Sequence, residues 1–530
     1  MTEENIEISE KEAKEERKRK RRYITKVVCA SLLVLGGNLL FFLMLWISNK
    51  YDDVQFDQIL YQLKSPVAGT NGDIVSSAIF DVVFIGVILT FAELFAVFYL
   101  TGALKRFYGR FAFYAKASTT KFGGFLKKHF MKLASLSLVI SIISCIFGMN
   151  IHTFAINLFR KSDFIEENYV DPDKATITFP EEKRNLIYIF LESMENTFSD
   201  PEAGGNITDN FIPELTELAN NNLSFKGPDG KGGAYSYVGT RWTAAALFAQ
   251  TSGMIIKVPL DFNNYGEDNT YMPGITSLGD ILEKEGYEQS VLFGSDGRFA
   301  ARDVYFKEHG NYNVIDIYAI KNGGHGEQLP ADYWEWWGFE DAKLFEYAKV
   351  ELERLASLGK PFNFTTLTAD THFPDGYVCE KCPDIYEEQY ANVLACSSKQ
   401  VYEFVEWIQA QDFYENTTII ISGDHLTMDP EFLVDINDDY IRTSYNCIIN
   451  PAPGVSAARS EREFGTFDMF PTTLAAIGAK IQGEKLGLGV NLFADVDTLT
   501  EKHGYDELEA QLWKSSDYYM DKFFEKPKDE

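Results

Sequence analysis

Three long apolar segments followed by an alternation of β-rich and helical runs predict a three-helix membrane anchor joined to a doubly wound α/β domain. The apolar segments are 23–48, 77–102 and 133–157, each long enough to cross a hydrocarbon core of about 30 Å at about 1.5 Å rise per residue. The candidate strands are 186–191, 289–293, 362–368, 417–422 and 445–450, with helical patterns such as 341–358 and 397–411 between them. Two of these strands end on acidic residues, which is where open α/β sheets bind ligands.

The first segment is too long, and too far from a small-residue cleavage site, to be a secretory signal, so it reads as a retained span. Glu93 interrupts the second; an intramembrane acid is a functional candidate, but with no partner visible it reads as a packing or interfacial residue. Basic residues orient the anchor. The run Arg17-Lys18-Arg19-Lys20-Arg21-Arg22 precedes the first span, and Lys105, Arg106, Arg110, Lys116, Lys121, Lys127, Lys128 and Lys132 lie between the second and third. The loop between the first two has only Lys50 and Lys64. Positive-inside reasoning then places residues 1–22, a charged tail or solvated helix, in the cytoplasm, and everything beyond 157 outside the cell membrane.

Residues 158–183, of mixed charge with Pro172 and Pro180, read as a tether; 184–498 as the catalytic domain; and 499–530 as a peripheral helix with a charged, frayed end. The whole chain has 49 Lys+Arg and 78 Asp+Glu, of which residues 1–156 hold 19 and 13, so about 30 and 65 remain beyond. A part carrying about −35 is a poor partner for nucleic acid.

Glu192 follows Leu186-Ile187-Tyr188-Ile189-Phe190-Leu191, and Asp424-His425 follow Thr417-Thr418-Ile419-Ile420-Ile421-Ser422-Gly423. Two carboxylates and an imidazole can hold a divalent cation, whose charge makes a neighbouring hydroxyl nucleophilic. Thr240 is the expected hydroxyl, because a flexible stretch at 227–233 precedes it and a helix start from Arg241 follows. Backbone amides at a helix N-terminus favour a phosphate and a developing oxyanion. Alone, Thr240 reads as an ordinary N-cap; the combination, in this order on an α/β pattern, points to a site.

These residues carry a resemblance. Asn185-Leu186-Ile187-Tyr188-Ile189-Phe190-Leu191-Glu192-Ser193, the segment 210–218, Gly239-Thr240, Thr371-His372-Phe373-Pro374-Asp375-Gly376, Ser422-Gly423-Asp424-His425 and Asp468-Met469-Phe470-Pro471-Thr472-Thr473-Leu474 resemble the lipoteichoic acid synthase and phosphoglycerol transferase group of the sulfatase-like alkaline phosphatase superfamily. Arg298-Phe299-Ala300, Asp303-Val304 and Leu486-Gly487-Leu488-Gly489 are most similar to periplasmic phosphoglycerol transferases that decorate glucans. The resemblance covers roughly 180–495 and implies a sulfatase-like fold. It implies Glu192, Thr240, Asp424 and His425 as ligands of one divalent metal, Mn2+, with Thr240 covalently glycerophosphorylated. It further implies Arg302 and His372 as residues holding the substrate phosphate and glycerol.

The implied reaction moves glycerol phosphate from phosphatidylglycerol to a glycan, glycolipid or polyglycerolphosphate acceptor. The alternatives are phosphoethanolamine transfer and an inactive, membrane-anchored glycan-binding protein. Ala300, Phe293 and Asp429 stand where lipoteichoic acid synthases have a tryptophan, a histidine and a serine, which bears on the acceptor. Sulfate ester hydrolysis is disfavoured, since Thr240-Arg241-Trp242-Thr243-Ala244 lacks the Cys or Ser, and the Pro, that sulfatases proper require. Among six cysteines, Cys29 and Cys145 read as apolar fillers of the spans and Cys447 as buried and free. For Cys379, Cys382 and Cys396, a disulfide from Cys396 to Cys379 or Cys382 is favoured over metal binding in an oxidising exterior.

Overall fold

The computed structural model describes residues 3–51, 54–101, 121–230, 232–260, 265–266, 270–432, 436–437 and 439–524. Lys105, Arg106, Arg110 and Lys116, used above to orient the anchor, lie outside the described residues. The chain divides into two compact units, one of residues 1–50 and 72–152, the other of residues 51–71 and 153–530.

The first unit holds three helices long and apolar enough to cross a membrane, Glu10–Lys50, Gly72–Leu100 and Lys121–Gly148. The first belongs to a continuous helix, Glu3–Lys50, so the charged tail is helical. The third ends earlier than its apolar pattern, at Gly148, because Asn150 turns the chain at φ +52° and a separate helix, Ile151–Leu158, follows. Small residues let these helices approach closely: a Cβ on Gly37 would meet Leu138 backbone at 3.3 Å, and one on Gly86 would meet Leu39 at 3.1 Å. Glu93 does have a partner. Asn38 Nδ2 donates to its Oε2 at 2.9 Å and to Thr90 Oγ1 at 3.0 Å, which satisfies polar groups that lipid could not.

The second unit is built on a six-stranded sheet: β1 (Asn185–Leu191), β2 (Glu288–Phe293), β3 (Asn313–Ile315), β4 (Phe362–Leu367), β5 (Thr417–Gly423) and β6 (Asn446–Ile449). Their order is β3-β2-β4-β1-β5-β6, parallel except for the edge strand β6, which runs antiparallel to β5. β1 is buried along its whole length because both of its faces are covered. Leu186, Tyr188 and Phe190 enter the core on one side, and Ile187, Ile189 and Leu191 the core on the other. Each of these side chains contributes about 1.5–3 kcal/mol by burial. The five strands read from sequence are present; β3 is added, too short for its alternation to register. Helix Asp341–Ser357 agrees with its pattern, whereas Gln389–Gln409 begins eight residues before the expected start, burying Tyr390, Val393 and Leu394.

Three segments pack where the sequence suggested looseness. Within the expected tether, Phe164 and Ile165 are buried in the core, and Ile177–Thr178 pairs antiparallel with Lys480–Ile481. The C-terminal stretch forms helices Leu499–His503, Tyr505–Trp513 and Asp517–Phe523, burying Leu508, Leu512, Tyr519 and Phe523. The loop between the first two spans belongs to this unit as well: Tyr61, on helix Phe56–Lys64, is buried, contacts Tyr271 Oη at 2.8 Å and donates to Ala300 O at 2.9 Å.

Candidate active site at the carboxyl edge of the sheet

Strands β2, β4, β1 and β5 are neighbours, and each delivers a site segment from its C-terminal end. Leu191 is paired with Gly423, so Glu192 and Asp424 leave the sheet side by side. Gly423 cannot carry a side chain here, since a Cβ would stand 1.9 Å from Met194 O. Ser193, at φ +53°, bends the chain so that its amide donates to Asp424 Oδ1 at 2.8 Å and its hydroxyl to Glu192 Oε1 at 2.8 Å.

Glu192, Asp424 and His425 are buried and present one ligand atom each within 4.8 Å of the others. His425 Nδ1 donates to Leu426 O at 2.8 Å, which turns Nε2 toward the acids, 3.6 Å from Glu192 Oε1 and 3.5 Å from Asp424 Oδ2. Asp424 Oδ2 is buried without a hydrogen-bond partner. An orphaned carboxylate oxygen beside an imidazole nitrogen and a second carboxylate is a donor set for a divalent cation. The electrostatics agree. Burial and then the charge of Glu192 push the Asp424 carboxyl up to about 8, whereas Glu192, which burial alone would raise, is held low by His372 and His425.

The hydroxyl facing this set belongs to Thr243, not Thr240. Thr243 Oγ1 is 3.3 Å from Glu192 Oε2 and 3.3 Å from His425 Nε2. Thr240 is fully buried and its hydroxyl is spent in a turn, accepting from Tyr237 N at 3.0 Å and donating to Tyr237 O at 2.9 Å. The turn needs Gly239, at φ +73°, where a Cβ would meet Ile256 O at 2.2 Å. Thr243 is the first residue of the buried helix Thr243–Ser252, so the helix-start argument made for Thr240 applies three residues later. The signal was legible: a helix starting near Arg241 puts the hydroxyl of its first turn at Thr243.

Arg302 is buried, donating to Phe299 O at 3.1 Å and to Ser295 Oγ and Asp296 O at 2.9 Å, with Phe293 under its guanidinium at 4.7 Å. Burial lowers it to about 10, so it remains charged at neutral pH. Among the described residues no carboxylate forms an ion pair with it. His372 stands against Trp337, ring centroids 4.6 Å apart, and its Nδ1 lies 2.6 Å from Phe373 O. Burial lowers its basicity, and the charges of Glu192, His425 and Arg302 all act on it. Asp429 accepts from Asp375 N at 3.2 Å, tying the segment after His372 to the segment after His425. Sequence reasoning missed Glu195, a fully buried acid paired with Arg442 at 2.8 Å that accepts from Thr427 N at 3.1 Å and so holds the same loop. The expected disulfide is not formed; Cys379, Cys382 and Cys396 are free thiols in contact.

Among known proteins, phosphoglycerol transferase I of Salmonella choleraesuis (strain SC-B67) is 33% identical over 268 residues, 49% of this chain and 33% of that protein. The chain thus spans about a third of the length of the curated relatives it matches. A protein in the alkaline phosphatase superfamily from Vibrio parahaemolyticus is similar at 18% identity and TM-score 0.47, covering 64% of this chain and 79% of that one. The lipoteichoic acid synthase LtaP from Listeria monocytogenes is similar at 18% identity and TM-score 0.46, covering 62% and 80%. The sulfatase family model matches residues 184–479, more than half of the 530 residues, and the chain therefore belongs to the sulfatase family.

Proposed function

We propose that this protein is a membrane-anchored phosphoglycerol transferase that takes glycerol phosphate from phosphatidylglycerol onto Thr243 and passes it to a glycan, glycolipid or polyglycerolphosphate hydroxyl. The observation that carries this is the Thr243 hydroxyl, set at a helix start and within 3.3 Å of both Glu192 and His425. Threonine in place of an oxidisable cysteine or serine supports transfer rather than sulfate hydrolysis, and the relatives named phosphoglycerol transferase supply the substrate class.

Glu192, Asp424 and His425 would hold the divalent cation, Mn2+ in this reading. When bound it supplies Lewis-acid stabilisation of charge on the phosphate and the attacking oxygen. Thr243 Oγ1 attacks phosphorus, the bond from phosphorus to the diacylglycerol oxygen breaks, and the hydroxyl proton ends on that leaving oxygen, carried there by water. Backbone amides of the first turn of helix Thr243–Ser252 and the Arg302 guanidinium meet the equatorial phosphate oxygens. His372, with Nδ1 donating to Phe373 O, presents Nε2 as an acceptor that positions a glycerol hydroxyl. In the second half an acceptor hydroxyl attacks the same phosphorus and Thr243 leaves.

The donor follows from topology. If basic residues keep the N-terminus in the cytoplasm, three spans put the second unit outside, where no nucleotide-activated donor is present and a lipid head group must serve. Supplying phosphatidylglycerol and phosphatidylethanolamine side by side tests the reading. Transfer from phosphatidylglycerol alone is expected; transfer from phosphatidylethanolamine alone would replace it with phosphoethanolamine chemistry.

A further inference from the structure

We propose that Cys379, Cys382, Cys396 and Gln400 form a second metal site, a tetrahedral structural centre for a soft divalent cation such as Zn2+. It is independent of the transfer chemistry. Cys379 Sγ lies 3.7 Å from Cys382 Sγ and 3.6 Å from Cys396 Sγ, and all three sulfurs lie within 4.8 Å of one another. A tetrahedron with metal–sulfur bonds of about 2.3 Å has sulfur–sulfur edges of about 3.8 Å, which the two close pairs match. A disulfide would use two of the sulfurs and leave a third against it.

The fourth corner is the Gln400 amide. Its terminal nitrogen stands 3.3 Å from Cys396 Sγ and 3.8 Å from Cys379 Sγ, while its oxygen is buried without a partner. Rotation of the amide exchanges these two atoms at no cost in shape, placing the oxygen against the sulfurs. A metal–oxygen bond of about 2.1 Å beside metal–sulfur bonds of about 2.3 Å gives oxygen–sulfur edges of about 3.6 Å, between the two observed values.

The spacing supports the same assembly. Cys379 and Cys382 are joined by a turn in which Cys382 N donates to Cys379 O at 3.1 Å, and Cys396 and Gln400 sit four apart on one face of helix Gln389–Gln409. The pattern is thus two ligands from a turn and two from a helix, as in Cys2His2 sites. Asp370 is buried with neither carboxylate oxygen hydrogen-bonded, and burial and then the charge of Asp341 raise its carboxyl well above the usual range. The centre would clasp the loop that follows His372 to the helix behind it.

The test uses the full-length protein in detergent, stripped by chelation under reducing conditions and titrated with Co2+ alone. A thiolate-to-cobalt charge-transfer band is expected, saturating by two equivalents per chain in the wild type and at one in Glu192→Gln, where the first site is weakened. It should persist in Glu192→Gln, disappear in Cys379→Ser, and need at least about tenfold more Co2+ in Gln400→Ala, with recovery in Gln400→Glu. Thiol titration of the untreated protein, in denaturant with chelator and no reductant, keeps the proposal falsifiable should Cys379→Ser fail to fold: all six cysteines should react. Four reactive thiols, or six without the band, would overturn the site, and unchanged affinity in Gln400→Ala would overturn the four-ligand set.

Discussion

Replacing Thr240 and Thr243 separately by alanine should split catalysis from stability. Thr243→Ala removes a hydroxyl whose neighbours are Glu192 and His425 and leaves the fold otherwise intact, so transfer should fall to background with the melting temperature nearly unchanged. Thr240→Ala removes two hydrogen bonds in a fully buried turn and strands Tyr237 N, whose hydrogen bond goes to that hydroxyl. A buried donor left unpaired costs about 1–3 kcal/mol, which lowers the melting temperature by a few degrees while activity persists at temperatures well below the transition. The assay is transfer of labelled glycerol phosphate from phosphatidylglycerol in detergent micelles, run beside a thermal melt of each variant. An inactive Thr240→Ala with wild-type melting, or a Thr243→Ala that retains turnover, would refute the reasoning.

Glu192→Gln, Asp424→Asn and His425→Ala should each lower Mn2+ affinity and activity together, read by metal analysis after dialysis; normal metal content in all three would place the cation elsewhere. Burial pushes the Asp57 carboxyl in helix Phe56–Lys64 up to about 6 from 3.8, so the folded state binds more protons than the unfolded between those values. Its contribution is therefore most favourable below about 3.8 and is lost as pH rises through 6. Asp57→Asn should gain up to about 3 kcal/mol over the wild type at pH 8 and nothing at pH 3.5 in denaturant melts, and an equal difference at both pH values would contradict this. On intact cells treated with a membrane-impermeant thiol reagent and read by peptide mapping, the introduced thiol of Lys161→Cys should be labelled and that of Lys128→Cys should not; the reverse pattern would invert the orientation and remove the reason for a lipid donor.

The sheet was readable because fully buried parallel strands leave uninterrupted β-branched and aromatic runs, as in 186–191 and 417–422, and their ends locate Glu192 and Asp424. Arg302 and His372 were placed by resemblance, and both are buried among the groups that act on Glu192. The hydroxyl that faces Glu192 and His425 lies three residues beyond the expected one because two threonines flank one helix start, and only the turn geometry at Tyr237–Thr240 shows which hydroxyl is already occupied. Phe164, Tyr61 and Tyr519 could not be assigned to the core from sequence, since each lies in a short, charge-rich segment whose partners are more than a hundred residues away. The missed Glu195–Arg442 pair is of the same kind: nothing local to Glu195 marks it as buried.

The central claim is that Thr243 carries the glycerol phosphate. Incubating the full-length protein with phosphatidylglycerol and Mn2+ in the absence of acceptor, then quenching in acid and mapping peptides by mass spectrometry, reads it directly. A glycerophosphoryl adduct on Thr243, absent from Glu192→Gln, is the predicted result. An adduct on Thr240, or a Thr243 that stays unmodified while diacylglycerol is released, would contradict the account.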